Sequence, residues 1–410
     1  MAKAVVIGAG IVGLSCALYL QRDGHQVTLI DPREPGTATS FGNAGGIVAT
    51  ASAPVVMPDT WKQLHKLLLD PLGPMVVRWR YLPKIAPWFL RALIAGRSKR
   101  VEEISDALCA LNTGVIAAWH DLARLAGAEE MLRPVGWFKV YETDKGFGRS
   151  APERALMAKR DQKFEVLNAD EIRQLEPGLA PIFKHGFFQP DCDLVVNPGR
   201  MTGQLAAAFS AGGGAVLQAE ATGFDLAERP YRVRTTHEAL DAEIIVLAAG
   251  AWSRGLAKQL GAPLPLDTER GYHLMLPPAE PGLRRPTVHG ELSFCLSPQE
   301  GGIRIASQDE FAGVDAPPDY RRIRSLIPQA KRMLPSLEAE EQSVWLGRRP
   351  SFPDSLPVIG PSARHPGVFF AFGHGHLGMT QGPVTGRIIA DLAAQRDPGL
   401  DPAPFSAERF

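Results

Sequence analysis

The N-terminal run Ala4-Val5-Val6-Ile7, rich in β-branched residues, leads straight into Gly8-Ala9-Gly10-Ile11-Val12-Gly13 and then into a helical pattern from Leu14 to Arg22. No other feature of the chain constrains its fold as much as this succession of strand, glycine turn and helix. A helix that opens on such a turn presents unpaired N–H groups and the positive end of its dipole. Gly8 permits the tight turn, Gly10 lets a pyrophosphate approach the backbone, and Gly13 lets the helix pack closely on the strand. The next apolar run, Gln26 to Ile30, ends at Asp31, 18 residues beyond Gly13, where an acid can accept hydrogen bonds from ribose hydroxyls. This βαβ unit predicts an α/β fold with a Rossmann-like dinucleotide-binding domain, and leaves FAD and NAD undivided.

Three later segments bear on that choice. Thr39 to Ile47 is a small-residue loop containing Ser40, Asn43, Ala44, Gly45, Gly46 and Ile47, suited to wrapping a large cofactor. A surface loop is its plain alternative. Ile244 to Leu247 reads as a buried strand ending in Ala249, Gly250 and Trp252, and a simple parallel strand has the same pattern. Val368 to Phe372 is a further strand, running through Gly373, His374, Gly375, His376, Gly378, Met379 and Thr380 into a helix. The N-terminus of that helix suits the O2 end of a flavin, where its dipole favours negative charge, or else a second nucleotide loop.

The ordered set GAGIVG, Asp31, SFGNAGGI, LAAGAW and GHGHLGMT resembles the D-amino-acid oxidase superfamily, in particular bacterial D-amino-acid dehydrogenases, over nearly the whole chain. The resemblance implies extended FAD, bound by Gly8, Gly10, Ile11, Val12, Gly13, Asp31, Asn43, Gly45, Gly46, Gly250, Gly378 and Met379. It also implies an interlaced α+β substrate domain, built on a mixed or antiparallel sheet, lying over the flavin ring. Because the segments assigned to FAD are spread along the chain, both domains are expected to be discontinuous. The expected division gives 1–55, 190–255 and 336–410 to the FAD-binding domain, and 56–189 and 256–335 to the substrate domain. Asn197-Pro198 predicts a helix start through Ala211, by an N-cap followed by proline at N1.

Trp345-Leu346-Gly347-Arg348-Arg349-Pro350, followed by Asp354, Pro357 and Gly360, resembles the family signature W-x-G-x-R-P-x-x-x-D-x-x-P-x-x-G. By that resemblance Arg349 binds the substrate carboxylate, a role that suits a planar bidentate donor. Read without it, the arginine pairs with Asp354 or caps a loop. Arg270-Gly271-Tyr272-His273 resembles a segment whose tyrosine lies near that carboxylate and the flavin. A buried tyrosine with a satisfied hydroxyl fits Tyr272 equally well. His374 and His376 flank Gly375 at the expected flavin end, where either is a candidate to orient substrate, accept a proton or contact the ring, and a histidine merely bonded to backbone is the alternative; His376 is taken into the catalytic set. The catalytic set expected is therefore Arg349, Tyr272 and His376.

Composition narrows the partners. Lysine plus arginine and aspartate plus glutamate are equal at 44 each, so no global field draws a polyanion, and nucleic acid is not expected as a partner. Cys16, Cys109, Cys192 and Cys295 form no CxxC pair, which suggests neither a disulfide framework nor a metal site and fits the cytoplasm. None lies in sequence near the Arg349 or Gly378 segments, unlike the sarcosine oxidase relatives in the superfamily this chain resembles, which tether their flavin to a cysteine, so the resemblance implies non-covalent FAD. Residues 61–100 carry nine basic residues and one acidic residue among tryptophans and other aromatics. This composition suits either a solvated helical face or peripheral contact with the inner face of the cell membrane.

The expected reaction is dehydrogenation of a small D-amino acid, with D-proline or a hydroxy-D-proline attractive because of the histidine-rich loop, and with electrons passed to a quinone-type acceptor. The alternatives are a glycine- or sarcosine-type oxidase that makes hydrogen peroxide, and a non-catalytic FAD electron-transfer subunit.

Overall fold

The computed structural model describes residues 1–58, 73 and 75–410. Its organising element is a six-stranded sheet in the order Ala215–Gln218, Gln26–Asp31, Lys3–Ile7, Ile244–Leu247, Val368–Phe372 and Val358–Pro361. All pairings are parallel except that of the edge strand Val358–Pro361. The central strands are covered on both faces, which is why they read as continuous apolar runs. Val6 and Val246 pack with Leu14 and Leu18 of the helix Ile11–Arg22, while Val5, Ile7, Ile245 and Leu247 face a second core with Val233 and Leu260. The helix Gly378–Ala393 lies so close to Ile11–Arg22 that a Cβ on Gly386 would sit 2.5 Å from the Ser15 carbonyl carbon. As expected, Asn197 caps the helix Pro198–Ala211 by accepting from the Arg200 N–H at 3.0 Å. Leu205 and Phe209 of that helix reach the same core.

A nine-stranded mixed sheet forms the second large layer. Its main path runs Ser343–Ser351, Asp267–Leu276, Gly302–Phe311, Phe294–Gln299, Thr287–His289, Trp137–Tyr141, His185–Gln189 and Glu165–Asn168, and Met75–Val77 adds to Gly302–Phe311. Side chains alternate across it. Tyr272, Leu274 and Leu276 enter a core closed by Ile323, Ala330 and Met333 from short helices. The opposite parity, at Glu269 and Gly271, faces the nucleotide side together with Arg349.

Two segments cross the expected division of the chain. Ser343–Ser351, placed by the boundary at 336 with the nucleotide side, pairs along its whole length with Asp267–Leu276 in the nine-stranded sheet. The helices Ser98–Asn112 and Val115–Leu125, placed with the substrate side, send Ile104, Leu108, Leu111, Trp119 and Leu122 into the core around Ile11–Arg22. Trp119 Nε1 also donates to the Met379 carbonyl at 2.7 Å. Their apolar stripes have helical spacing, but spacing alone does not say which sheet a stripe will meet.

Candidate active site

Between the two sheets lies a cavity of about 1480 Å³ that runs from the N-terminal glycine turn to Arg349. Gly8, Gly10, Ile11, Val12, Asp31, Ser40, Asn43, Ala44 and Gly46 line it, as do Ala249, Gly250, Trp252, His374, Gly375, Gly378, Met379 and Thr380. Arg349, Tyr272 and His376 also border it, so residues scattered over the chain are brought to one space.

Four residues expected in the wall stand behind it. A Cβ on Gly13 would fall 1.8 Å from the Gly8 carbonyl oxygen, so Gly13 serves the packing of helix on strand. Gly45 (φ +77°) lies against the Val195 carbonyl, and Gly373 (φ +91°) against the Phe352 ring. Ile47 is fully buried in the core beneath the loop. Gly10 differs from these, because its nearest potential clash is only the Ser40 hydroxyl, at 3.2 Å.

The loop from Ser40 to Gly46 is fixed by its own polar groups. Ser40 Oγ accepts from the Ile11 N–H at 2.9 Å, which satisfies one free donor of the first helix. Asn43 donates to the Ser40 carbonyl at 2.9 Å and accepts from the Gly45 N–H at 2.8 Å. The Asp31 carboxylate accepts from the Ala9 and Arg33 N–H groups at 2.8 and 2.9 Å. Each of its oxygens keeps further acceptor capacity for a hydroxyl.

At the far end, Arg349 lies in a charged cluster. Its Nη1 donates to Asp309 Oδ1 at 2.5 Å and to the Gln308 carbonyl at 3.1 Å. His376 Nε2 is 3.2 Å from the same Asp309 oxygen, and its Nδ1 is 3.4 Å from Glu269 Oε2. Burial pushes the Asp309 carboxyl upward, but the charges of His376 and Arg349 outweigh it and hold the group below the usual carboxylate range. Glu269, deeper in the wall, is pushed up by burial. Asp354 instead pairs with Arg409, at 2.8 Å.

Two candidates sit differently from expectation. Tyr272 borders the cavity, but its hydroxyl donates to Glu310 Oε2 at 2.7 Å and accepts from the Asp319 N–H at 3.1 Å, on the face of the sheet away from Arg349. Strand parity puts it there, because Gly271 occupies the cavity-facing position. Burial pushes the Tyr272 phenol up to about 12, so it stays protonated. His374 is 3% exposed and bonds Thr385 Oγ1 at 2.9 Å, and burial lowers its pKa to about 3. Both loop histidines border the cavity, but only His376 is exposed there and joined to the charged cluster.

A family model described as DAO, FAD dependent oxidoreductase, matches residues 3–392. The chain belongs to this FAD-dependent oxidoreductase family. It is 37% identical over 413 residues to a D-amino-acid oxidase of Bradyrhizobium diazoefficiens, covering 99% of this chain and 98% of the relative. It is 30% identical to a D-amino acid dehydrogenase of Rhizobium johnstonii, over the full length of both. Among solved structures, glycine oxidase from Geobacillus kaustophilus superposes with a TM-score of 0.76 at 20% identity, covering both chains fully. L-proline dehydrogenase from P. horikoshii gives 0.76 at 18% identity, covering 100% of this chain and 97% of its own. At such identities these two likenesses concern the fold.

The cofactor of this family member is FAD, and the cavity fits it. Its volume exceeds the several hundred Å³ typical of small-ligand pockets. Gly250 (φ +54°) would meet nothing within 4 Å if it carried a Cβ, and Gly378 only the His374 Cβ at 3.8 Å.

Several wall residues of the flavoprotein were not anticipated. Asp309 enters through a bulge, where Gln308 (φ +72°) and Asp309 together stand opposite Gly271 between the pairs Arg270↔Glu310 and Tyr272↔Ser307. The sequence hint was the run Gln308-Asp309-Glu310, three polar residues in a row within a strand. Glu269 had no comparable signal. Cys295 also borders the cavity, although it is distant in sequence from Arg349 and Gly378. Lys139, Tyr141, Glu153 and Glu291 line a polar extension under the strand Trp137–Tyr141.

Proposed function

We propose that this protein dehydrogenates the Cα–N bond of a small D-amino acid and passes the electrons to a quinone-type acceptor. The observation that carries the reading is Arg349, whose guanidinium forms part of the cavity wall beside Asp309 and His376. An isolated bridge from Ser351 to His374 ties the Arg349 strand to the loop that opens the helix Gly378–Ala393. The carboxylate-binding end and the ring-binding end are thereby kept adjacent. The names of the Bradyrhizobium and Rhizobium relatives support the amino-acid substrate and its D configuration.

In this reading the turn from Gly8 to Gly13 and the helix behind it hold the pyrophosphate, and Asp31 holds the adenosine ribose. Ser40 to Gly46, Ala249, Gly250 and Trp252 wrap the cofactor, and Gly375 and Gly378 to Thr380 adjoin the ring. When bound, FAD supplies the hydride acceptor. Arg349 orients the substrate through its carboxylate, using Nη2 and Nε, which make no hydrogen bond among the described residues. In its neutral form His376 takes a proton from the substrate ammonium. The N–H bond breaks, its electron pair stays on nitrogen as the lone pair that assists hydride departure from Cα, and the imino acid is left to hydrolyse. Positioning provides most of the rate.

Attachment of FAD is read as non-covalent. Burial pushes the Cys295 thiol up to about 12, so the thiolate needed for a covalent bond is scarce. Acid precipitation should release the flavin, and flavin retained in the pellet contradicts this. The function is tested by comparing anaerobic flavin reduction by D-alanine and by ethylamine, which lacks the carboxylate. Reduction by both at similar concentrations removes Arg349 from its role.

Oxygen as acceptor is the second reading, favoured by the oxidase name of the 37% relative. Stoichiometric peroxide in air, with no reduction of an added quinone, decides for it.

Peripheral membrane contact is part of the proposal. Residues 59–72 and 74 lie outside the described residues, but the remainder of the 61–100 stretch is informative. Trp79 and Leu90 are 64% and 62% exposed, and Leu93 and Ile94 are exposed beside them on or before the helix Leu82–Ala95. Arg80, Lys84, Arg91, Arg97 and Lys99 are interspersed with these residues in sequence, and no acid occurs from 75 to 101. Exposed apolar side chains interspersed along the sequence with basic residues suit an anionic bilayer surface. No helix among the described residues is long and apolar enough to cross a membrane. Co-sedimentation with phosphatidylglycerol vesicles but not with phosphatidylcholine is expected, and full recovery in the supernatant with both contradicts it.

A further inference from the structure

Arg349 presents itself to a ligand as half of an ion pair. Asp309 is held 2.5 Å from its Nη1 and has 27% of its side chain exposed. The groups facing Asp309 are Arg349 from Ser343–Ser351, His376 from the turn before Gly378, Glu269 from Asp267–Leu276, and the more remote charge of Arg322. Among the described residues, Glu269 Oε2 is buried with no hydrogen-bond partner.

A guanidinium already paired in this way attracts a bare carboxylate poorly, because the second anion must displace Asp309 or crowd beside it. An amino-acid zwitterion meets no such penalty. Its carboxylate and ammonium stand on neighbouring atoms, and Arg349 and Asp309 offer the complementary charges side by side. Complementarity of this kind discriminates between partners more than it adds to affinity.

We propose that Asp309 is a specificity-determining residue that binds the substrate ammonium while Arg349 binds the carboxylate, so that the site selects zwitterions over carboxylates lacking an amine. This rests on the amino-acid reading above and deepens it. The bulge at Gln308 is what turns Asp309 to the cavity face, while Glu310 turns to Tyr272 and Arg78 on the other. His376 then lies next to the bound ammonium through the shared Asp309 oxygen.

The test uses the FAD-loaded enzyme and two matched ligand pairs: D-alanine with propionate, and D-proline with cyclopentanecarboxylate. Anaerobic flavin reduction gives the affinity of the amino acids, and perturbation of the flavin absorption gives that of the carboxylates. In the wild type, each carboxylate is expected to bind at least about tenfold more weakly than its amino acid, which corresponds to about 1.4 kcal/mol. Asp309→Asn should tighten propionate about tenfold, by releasing Arg349, and weaken D-alanine by about the same factor. Wild-type enzyme that holds propionate as tightly as D-alanine overturns the proposal, and so does a variant in which both ligands shift equally. The wild-type comparison needs no variant to fold. If no amino acid reduces the flavin, the functional reading falls and this proposal with it, whereas reduction without amine selectivity removes only the role of Asp309.

Discussion

The guanidinium of Arg349 lies directly against the backbone of Gly271 on the adjacent strand: a Cβ there would fall 2.1 Å from Nη2. The glycine of the Arg270-Gly271-Tyr272 segment thus makes room for the arginine, while the tyrosine beside it faces away. Gly271→Ala should leave the melting temperature nearly unchanged, since a flexible side-chain end can move aside. It should also lower kcat/KM by about 100-fold, the usual consequence of moving a positioning group by about 1 Å. A variant with wild-type kinetics would show that the position of Arg349 does not matter.

The glycines of the first turn should separate by role. Gly13→Ala drives a methyl group into the Gly8 carbonyl and is expected to cost about 3 kcal/mol of stability. Gly10→Ala meets only the Ser40 hydroxyl, at 3.2 Å, which must give by a few tenths of an ångström, so the apoprotein should lose far less stability than with Gly13→Ala. Its FAD affinity should nevertheless fall by at least about tenfold, because the methyl group occupies the approach of the pyrophosphate. Thermal melts and flavin titrations of the two apoproteins check both, and equal behaviour contradicts the division.

Arg349→Ala should lower kcat/KM for a carboxylate substrate by roughly 30- to 150-fold, about 2 to 3 kcal/mol, mostly through KM. The same change should leave FAD content unaltered. Loss of FAD together with activity would mean that the residue serves the cofactor.

Acid should destabilise the fold through two histidines. Burial lowers His273 to about 3, with Arg304 adding to it, and burial lowers His374 likewise. An unfolded histidine titrates near 6.5, so between about pH 6.5 and 3 the unfolded chain binds more protons than the folded one. Stability is full above that window and falls as pH drops through it, with a slope of up to about 1.4 kcal/mol per pH unit for each group. Urea midpoints measured from pH 7 to 4.5 should fall accordingly, and His273→Gln with His374→Gln should flatten the curve. A flat wild-type profile contradicts burial of neutral imidazoles.

The parts of this protein legible in its sequence are those governed by local pattern. Apolar β-branched runs, a glycine turn and an acid at the end of the next strand form one contiguous unit, and they fold as read from Lys3 to Asp31. The place of Arg349 at the cavity was legible because its signature is also contiguous. Asp309 was not, since its relation to Arg349 depends on two strand pairings and a bulge, and the two readings left open for Tyr272 could not be divided because which way a strand residue faces is set by register. His374 and His376 look alike in sequence and differ only in which one the helix Gly378–Ala393 covers.

The central claim is tested most directly by anaerobic bleaching of the flavin spectrum against D- and L-alanine, both prolines, both hydroxyprolines, glycine and sarcosine. The account predicts rapid bleaching by at least one D-isomer, slow or no bleaching by its L-isomer, and loss of the effect in Arg349→Ala. Bound flavin that none of these compounds reduces, or that L-isomers reduce preferentially, would contradict it.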